Sequence, residues 1–181
     1  MIAYKAFEPG LICRGYRFTM GLNVTDKANC ARNGFHSAEN PLDCLSYYPF
    51  ENSVFYLVDA GGDIDEDDMD TKISCTELRI LKQLSHKEFF LHALAYMVDH
   101  PHRKWSSHVT ADRAQANSGY AVVRGCDPLA CGSTGDYLAF AKEDPASGRI
   151  EQIAFAQVDG KALLPGVWYD INFEKRTVGV F

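Results

Sequence analysis

The sequence predicts an α+β protein that is mainly β. Short apolar or alternating runs recur along the chain and are separated by Gly, Pro and Asn, which is typical of strands joined by turns. One long segment, at 86–99, has clear helical spacing. We expect an N-terminal lobe at 1–104, with a mixed sheet and two helices. A small-residue-rich, repeat-like segment and an antiparallel meander follow at 105–181, as a second lobe or as part of one continuous domain.

Two strands are predicted near the start of the chain. Ile2 to Phe7 alternates apolar and polar residues, which predicts the first strand, and Gly10 follows it. Cys13 to Phe18 predicts the second strand. Residues 21–33 lack such a pattern, and we expect a loop there.

The next segment combines a turn with the start of a helix. Asn33-Gly34 is a turn signal, and Phe35 to Ser37 is long enough only for a strand stub. Asn40 is a capping residue directly before Pro41, and proline suits the first position of a helix. We expect a short helix from Pro41 to Tyr47, ended by Pro49.

An acidic segment lies between two strands that we expect to pair, Val54 to Ala60 and Lys72 to Ile80. It resembles the start of a calcium loop, but an aspartate replaces the required glycine and Ser74 replaces the final glutamate. A solvated connector is the simpler interpretation, and a docking surface for a basic partner is the functional one. The residues of that surface are Asp63, Asp65, Glu66, Asp67, Asp68 and Asp70.

The helix at 86–99 has the most complete set of local signals. Ser85 and Glu88 form a capping box, and Pro101 lies beyond the end of the helix. Helical spacing predicts an apolar face made of Phe90, Leu91, Leu94, Met97 and Val98.

The last part of the chain is rich in small residues and then in strands. Residues 118–121, Ser-Gly-Tyr-Ala, are echoed at 134–139, which indicates a short repeat that forms either tight coils, such as a small β-solenoid, or a Gly-rich loop. Turn residues then separate four expected strands of the meander. These are Tyr137 to Lys142, Arg149 to Val158, Val167 to Phe173 and Thr177 to Phe181.

Composition limits the classes of function. The net charge of −6 argues against direct nucleic-acid binding, which normally uses a basic face. The six cysteines are scattered, so we expect thiols and no metal site; Cys126 and Cys131 are spaced as zinc ligands but lack a second pair. No apolar run is long enough for a membrane helix and no signal peptide is evident, so we expect a cytoplasmic protein that does not contact membranes.

The sequence lacks the motifs of the common enzyme classes. It contains no Walker loop, Rossmann fingerprint, nucleophile elbow or zinc-protease helix, which leaves binding as the default. Cys44 and His36 are the one cysteine-histidine pair that the sequence brings near each other, although Cys44 is more easily explained as a core residue. Trp105 is either a core aromatic or an anchor for a partner.

The ordered motifs YKAF, CRGYRF, GFHSAENPLD and GVWYDI, with the Ser/Gly/Ala repeats, resemble an uncharacterised family of phage- and prophage-encoded proteins. The repeats here are shorter and more degenerate than in long members of that family. The resemblance implies an accessory protein in a bacterial host cell that acts by binding a host protein. Inhibition of a defence system, such as a CRISPR complex, is the function that this context suggests, without a cofactor.

The N-terminal half also resembles ADP-ribosyltransferase-type domains, which implies an alternative function. Those domains bind NAD with an Arg or His on the first strand, an aromatic or Ser-Thr-Ser segment on the next strand, and a catalytic Glu on a late strand. The corresponding catalytic set here is His36, Tyr48 and Glu151. The resemblance also leaves open Lys5 or Arg14 for the cation, Ser37 and Tyr47 beside the histidine, and Glu77 for the glutamate.

Overall fold

A computed structural model describes residues 1–30, 32–67 and 70–177 of the chain. The chain divides into two compact units, Met1–Phe89 and Phe90–Phe181, and each is described by itself. The boundary expected after residue 104 lies inside the second unit. The mainly β, α+β fold class is confirmed.

The first unit is built on one five-stranded sheet in the order β4-β7-β5-β1-β6. The strands of this unit are β1 Ile2–Phe7, β2 Ile12–Cys13, β3 Tyr16–Arg17, β4 Gly21–Val24, β5 Phe35–Ala38, β6 Val54–Glu66 and β7 Lys72–Leu84. Strand β6 pairs with both β1 and β7, so the sheet closes on itself.

The pairings of this sheet are all antiparallel, whereas we expected a mixed sheet. Parallel neighbours need a long crossover, usually an α-helix. Among the described residues before 86, the helices are two short 3-10 helices, Pro41–Ser46 and Phe50–Asn52. The expected connector is also shorter than predicted, because Asp63 to Glu66 continue β6.

Two N-terminal predictions need correction. The expected second strand is a hairpin, β2 and β3, because Arg14 and Gly15 both adopt positive φ, 48° and 79°, and form its turn. The expected loop at 21–33 contains β4, which pairs with β7.

The turn-to-helix segment is confirmed with one change of helix type. Asn40 Oδ1 accepts a hydrogen bond of 3.1 Å from the Leu42 amide, and the helix that it caps is the 3-10 helix Pro41–Ser46. Gly34 has a φ of 90°, and a Cβ at that position would collide with Ser74 Oγ. The segment therefore has clear structural reasons for its glycine and its asparagine.

The core of the first unit is rich in aromatic residues. The rings of Phe7 and Phe18 meet edge to face at 5.2 Å, and Phe18 meets Phe35 at 4.9 Å. Tyr56 contacts Phe7 from the other side at 5.5 Å. Two of these rings, Phe7 and Phe18, contact the amine end of the Lys5 side chain.

Helix α1 spans His86–Asp99, as predicted. Its capping box is present: the Ser85 amide donates to Glu88 Oε2 at 2.8 Å, and the Glu88 amide donates to Ser85 Oγ at 3.2 Å. The predicted apolar face is wrong at Leu91 and Val98, which are 36% and 42% exposed. The buried residues of the helix are Phe89, Phe90, Ala93, Leu94 and Met97.

The second unit contains a mixed sheet. Its strands are β8 Thr110–Gln115, β9 Tyr120–Cys131, β10 Tyr137–Glu143, β11 Ile150–Gln157, β12 Trp168–Tyr169 and β13 Lys175–Arg176. Strands β8 and β10 pair with β9 in parallel, and the remaining pairings are antiparallel.

The sequence repeat corresponds to this parallel pairing. Tyr120 pairs with Tyr137, and Ala121 pairs with Leu138, so equivalent positions of the two copies lie side by side. The repeat-like segment is therefore mostly strand, paired as in stacked coils, and the Gly-rich loop alternative is wrong. The last expected strand, at 177–181, lies almost wholly outside the described residues. No helix in the described part of the chain is long and apolar enough to cross a membrane.

Candidate functional site

The first unit contains a pocket of about 270 Å³. Strands β1 and β5 supply its inner side through Lys5, His36 and Ser37. The turn between β2 and β3 supplies Arg14, and the loop before β5 supplies Arg32, both with exposed side chains. The rest of the wall includes Cys13, Cys30, Cys44, Tyr47, Tyr48 and Lys72.

Lys5 is a buried lysine, with only 4% of its surface exposed. Its Nζ donates a hydrogen bond of 2.5 Å to the His36 carbonyl and lies 5.2 Å and 5.3 Å from the ring centres of Phe7 and Phe18. Burial lowers the pKa of Lys5, and the nearby Cys13 and Cys44 thiols oppose that shift. Within the described residues no carboxylate forms an ion pair with Lys5, so a buried amine faces the pocket without an anionic partner.

Ser37 lies next to Lys5 in the sheet. Tyr4 of β1 pairs with Ala38 of β5. Because these strands are antiparallel, Lys5, one residue after Tyr4, lies opposite Ser37, one residue before Ala38. Ser37 is 5% exposed, and its Oγ has no hydrogen-bond partner among the residues that the structure describes. A buried polar group left unpaired costs about 1–3 kcal/mol, and this one belongs to a residue that lines the pocket.

His36 is held as a neutral imidazole. Its Nε2 lies 3.2 Å from the Cys30 carbonyl, an acceptor, so the proton is on Nε2. Burial and the charge of Lys5 lower the pKa of His36 below its usual value of 6.5. Both effects favour the neutral form of the ring.

The tyrosines and Cys44 are also in their neutral forms. Tyr48 donates to Cys13 Sγ at 2.8 Å, and burial followed by this hydrogen bond raises the pKa of Tyr48. Burial raises the pKa of the Cys44 thiol to about 12. Cys44 and His36 both border the pocket, as their spacing suggested, but a protonated thiol is a poor nucleophile.

The charge of the pocket is opposite to that of the chain. Lys5, Arg14, Arg32 and Lys72 line it, and no aspartate or glutamate does so in the described ranges. The whole protein carries a net charge of −6. Such a local excess of cations favours an anionic ligand.

The predicted acidic surface is partly a support for the pocket wall. Asp65 accepts a bond of 2.7 Å from the Cys30 amide, and Asp67 pairs with Lys72 at 2.6 Å. Asp70 accepts a bond of 2.8 Å from the Tyr47 hydroxyl. Three of the six predicted acids thus hold pocket residues, and a docking role for the segment stays a prediction. Asp63 and Glu66 are exposed, and Asp68 lies outside the described residues.

The structure brings together part of the set of NAD-binding and catalytic residues that the resemblance to ADP-ribosyltransferases implies. Lys5, Arg14, His36, Ser37, Tyr47 and Tyr48 all line the pocket. The carboxylates do not complete the set. Glu151 belongs to the second unit, where it pairs with Lys142 at 2.9 Å, and Glu77 is an exposed residue of β7 that does not line the pocket.

Trp105, the other predicted contact residue, has a partner inside the second unit. Its ring lies 4.6 Å from the guanidinium carbon of Arg124, which is 3% exposed and paired with Glu143. The described residues contain no cluster of three or more His, Cys, Asp or Glu that would hold a metal ion.

Sequence comparison relates the first unit to a known family. No curated protein and no solved structure gives a significant match to the chain. Residues 1–92 match the family described as a domain of unknown function, DUF7666, and this match covers the described pocket residues. With about half of its 181 residues matched, the chain belongs to the DUF7666 family.

Proposed function

We propose that the first unit is a binding module for a small phosphorylated ligand. The observation that carries this proposal is a buried amine beside an unpaired buried hydroxyl, in a pocket lined by cations and by no carboxylate of the described chain. Each of these groups costs free energy in the empty pocket, and a phosphorylated ligand would offset that cost through its phosphate or through a polar group of its carbon skeleton.

Several donors in one small pocket favour phosphate over carboxylate. Lys5 and Ser37 line its inner side, and the two arginines have planar guanidinium groups that suit paired hydrogen bonds to an oxyanion. A phosphate monoester has three acceptor oxygens beyond its ester bond, whereas a carboxylate has two. A phosphate can therefore accept bonds from more of these donors at once.

The volume limits the size of the ligand. Pockets for drug-sized ligands measure roughly 300–1,000 Å³. The pocket here, at about 270 Å³, is smaller. A sugar or triose phosphate suits this volume better than a whole dinucleotide such as NAD. The rings of Tyr47 and Tyr48 offer contact area for the carbon skeleton of such a ligand.

Calorimetric titration with glycerol 3-phosphate tests the proposal, with glycerol as the uncharged control. Arg14→Gln and Arg32→Gln should each weaken binding about tenfold, because each removes a charged hydrogen-bond donor. Arg17→Gln is the matched control, since Arg17 is an exposed arginine of the same hairpin that does not line the pocket. The proposal fails if glycerol 3-phosphate does not bind, or if Arg17→Gln weakens binding as much as the other two variants.

Binding of a basic host protein, as the phage resemblance implies, is a second proposal. The exposed side chains of Asp63 and Glu66 support it. Asp63→Lys with Glu66→Lys should abolish capture of the partner from a bacterial lysate, and Asp26→Lys at another exposed aspartate should not. If the unmodified chain, the Asp63→Lys/Glu66→Lys variant and the Asp26→Lys variant capture the partner equally, Asp63 and Glu66 do not form the docking surface.

A further inference from the structure

We propose that Lys5 forms an imine with a carbonyl group of the ligand, so that the pocket takes a phosphorylated aldehyde or ketone. This inference rests on the proposed function, since Arg14, Arg32 and Lys72 would hold the phosphate while Lys5 meets the carbonyl. It adds a covalent step that simple phosphate binding does not need.

Lys5 differs from every other lysine of the chain in its burial. It is 4% exposed, whereas the remaining lysines are half-buried or exposed. Lys72, the other lysine of the pocket, pairs with Asp67 at 2.6 Å, and this bond holds its pKa above the usual value. The surroundings of Lys5 act in the opposite direction, because burial favours the neutral amine, the form that attacks a carbonyl.

The chemistry needs no reagent beyond the ligand. The nitrogen lone pair of Lys5 adds to the carbonyl carbon, and the carbonyl oxygen takes up a proton to give a carbinolamine. The nitrogen then loses its protons, the C–O bond breaks, the oxygen leaves as water and the C=N bond forms. One amine and one carbonyl give one imine and one water, with no change in oxidation state.

Neighbouring groups are suited to the proton transfers. Ser37 is also a residue that lines the pocket, and its hydroxyl, which has no bond to the described residues, is the proposed donor to the carbinolamine oxygen. The neutral His36 imidazole also borders the pocket and can accept a proton. The competing Cys44 thiol is buried, and its raised pKa keeps it protonated, so the amine is the better nucleophile.

The test uses glyceraldehyde 3-phosphate and sodium borohydride, which reduces an imine to a stable amine. Intact mass should show one added ligand per chain, and peptide mapping should place it on Lys5. Glycerol 3-phosphate, which binds without a carbonyl, should suppress this labelling at least about tenfold when present at saturation. Lys5→Arg keeps the charge and should abolish the labelling, whereas Lys82→Arg, at an exposed lysine, should leave it unchanged.

The outcomes separate the imine from phosphate binding. If glycerol 3-phosphate binds but the label is absent or spread over exposed lysines, the imine is refuted and the binding function stands. If glycerol 3-phosphate does not bind, the proposed function fails as well. Peptide mapping and competition on the unmodified chain decide the question even if Lys5→Arg does not fold.

Discussion

Replacing Ser37 by alanine should stabilise the first unit while weakening ligand binding. The Ser37 hydroxyl is buried, and it has no partner among the described residues. An unpaired buried hydroxyl costs about 1–3 kcal/mol, and water entering the pocket recovers part of that cost. We therefore expect Ser37→Ala to raise the free energy of unfolding by up to about 1 kcal/mol, near the lower end of this range.

Ser74→Ala is the matched control, on a strand that pairs with the strand of Ser37. Ser74 is 0% exposed, and its Oγ donates a bond of 2.5 Å to the Asn33 carbonyl. Its removal leaves that carbonyl without the bond, so Ser74→Ala should lower the free energy of unfolding by about 1–3 kcal/mol. The same chemical change should thus have opposite signs at two buried serines of one sheet.

The assay must report on the first unit. Both tryptophans, Trp105 and Trp168, belong to the second unit, so their fluorescence is the wrong probe. Hydrogen exchange of the β1 and β5 amides in urea measures the unfolding free energy where Ser37 lies. Calorimetry with glycerol 3-phosphate should show an affinity loss of about tenfold for Ser37→Ala.

A loss of stability in Ser37→Ala comparable to that in Ser74→Ala would refute the reasoning. It would show that the Ser37 hydroxyl has a structural partner, and the hydroxyl would then no longer indicate a ligand. A more stable fold with a weaker ligand complex is the result typical of a group retained for binding rather than for folding.

Three further predictions concern backbone geometry and ionised side chains. Gly34→Ala should lower the unfolding free energy by about 2–4 kcal/mol in the hydrogen-exchange assay, because φ is 90° and the new Cβ collides with Ser74 Oγ. Asp170→Asn should destabilise the second unit more at pH 7 than at pH 3, measured by tryptophan fluorescence in urea. Burial of Asp170 opposes its ionisation, but hydrogen bonds from the Glu174 amide and from Arg176 outweigh the effect of burial and lower the pKa of Asp170. The ionised carboxylate therefore stabilises the fold above about pH 4, and this stabilisation is lost as the pH falls. Burial and then the hydrogen bond to Asp70 raise the pKa of Tyr47, so Asp70→Asn should lower that pKa. The measurement is a tyrosinate absorbance titration, in which the signal of Tyr47 is the part that Tyr47→Phe removes.

Local signals in the sequence predicted the elements whose structure is determined locally. The cap at Asn40, the proline that follows it and the capping box at Ser85 each act within a few residues, and the helices begin where these residues predict. Strand β4 was missed because Gly21–Val24 is an edge strand whose structure depends on pairing with β7, far along the chain. The turn at Arg14 was missed because arginine rarely adopts positive φ.

The pocket could be predicted only in part. The resemblance to ADP-ribosyltransferases pointed to Lys5, His36 and Tyr48, which do border one pocket. It did not indicate Arg32 or Lys72, because their positions depend on the closure of the sheet and on contacts between residues distant in sequence. The sequence repeat indicated that Tyr120 and Tyr137 are equivalent positions. That β9 and β10 pair in parallel is seen only in the assembled sheet.

The acidic segment and the basic pocket form one electrostatic unit. Asp67 pairs with Lys72, which lines the pocket, while Asp65 and Asp70 hold the Cys30 backbone and the Tyr47 side chain. Reversing the charge of the whole segment would therefore disturb the pocket wall as well as any docking surface. Lost partner binding in such a variant could then arise from either cause. Among the described acids of the segment, Asp63 and Glu66 lie outside these three contacts, have exposed side chains and do not line the pocket. Substitutions at these two residues therefore separate a protein-docking surface from a ligand pocket.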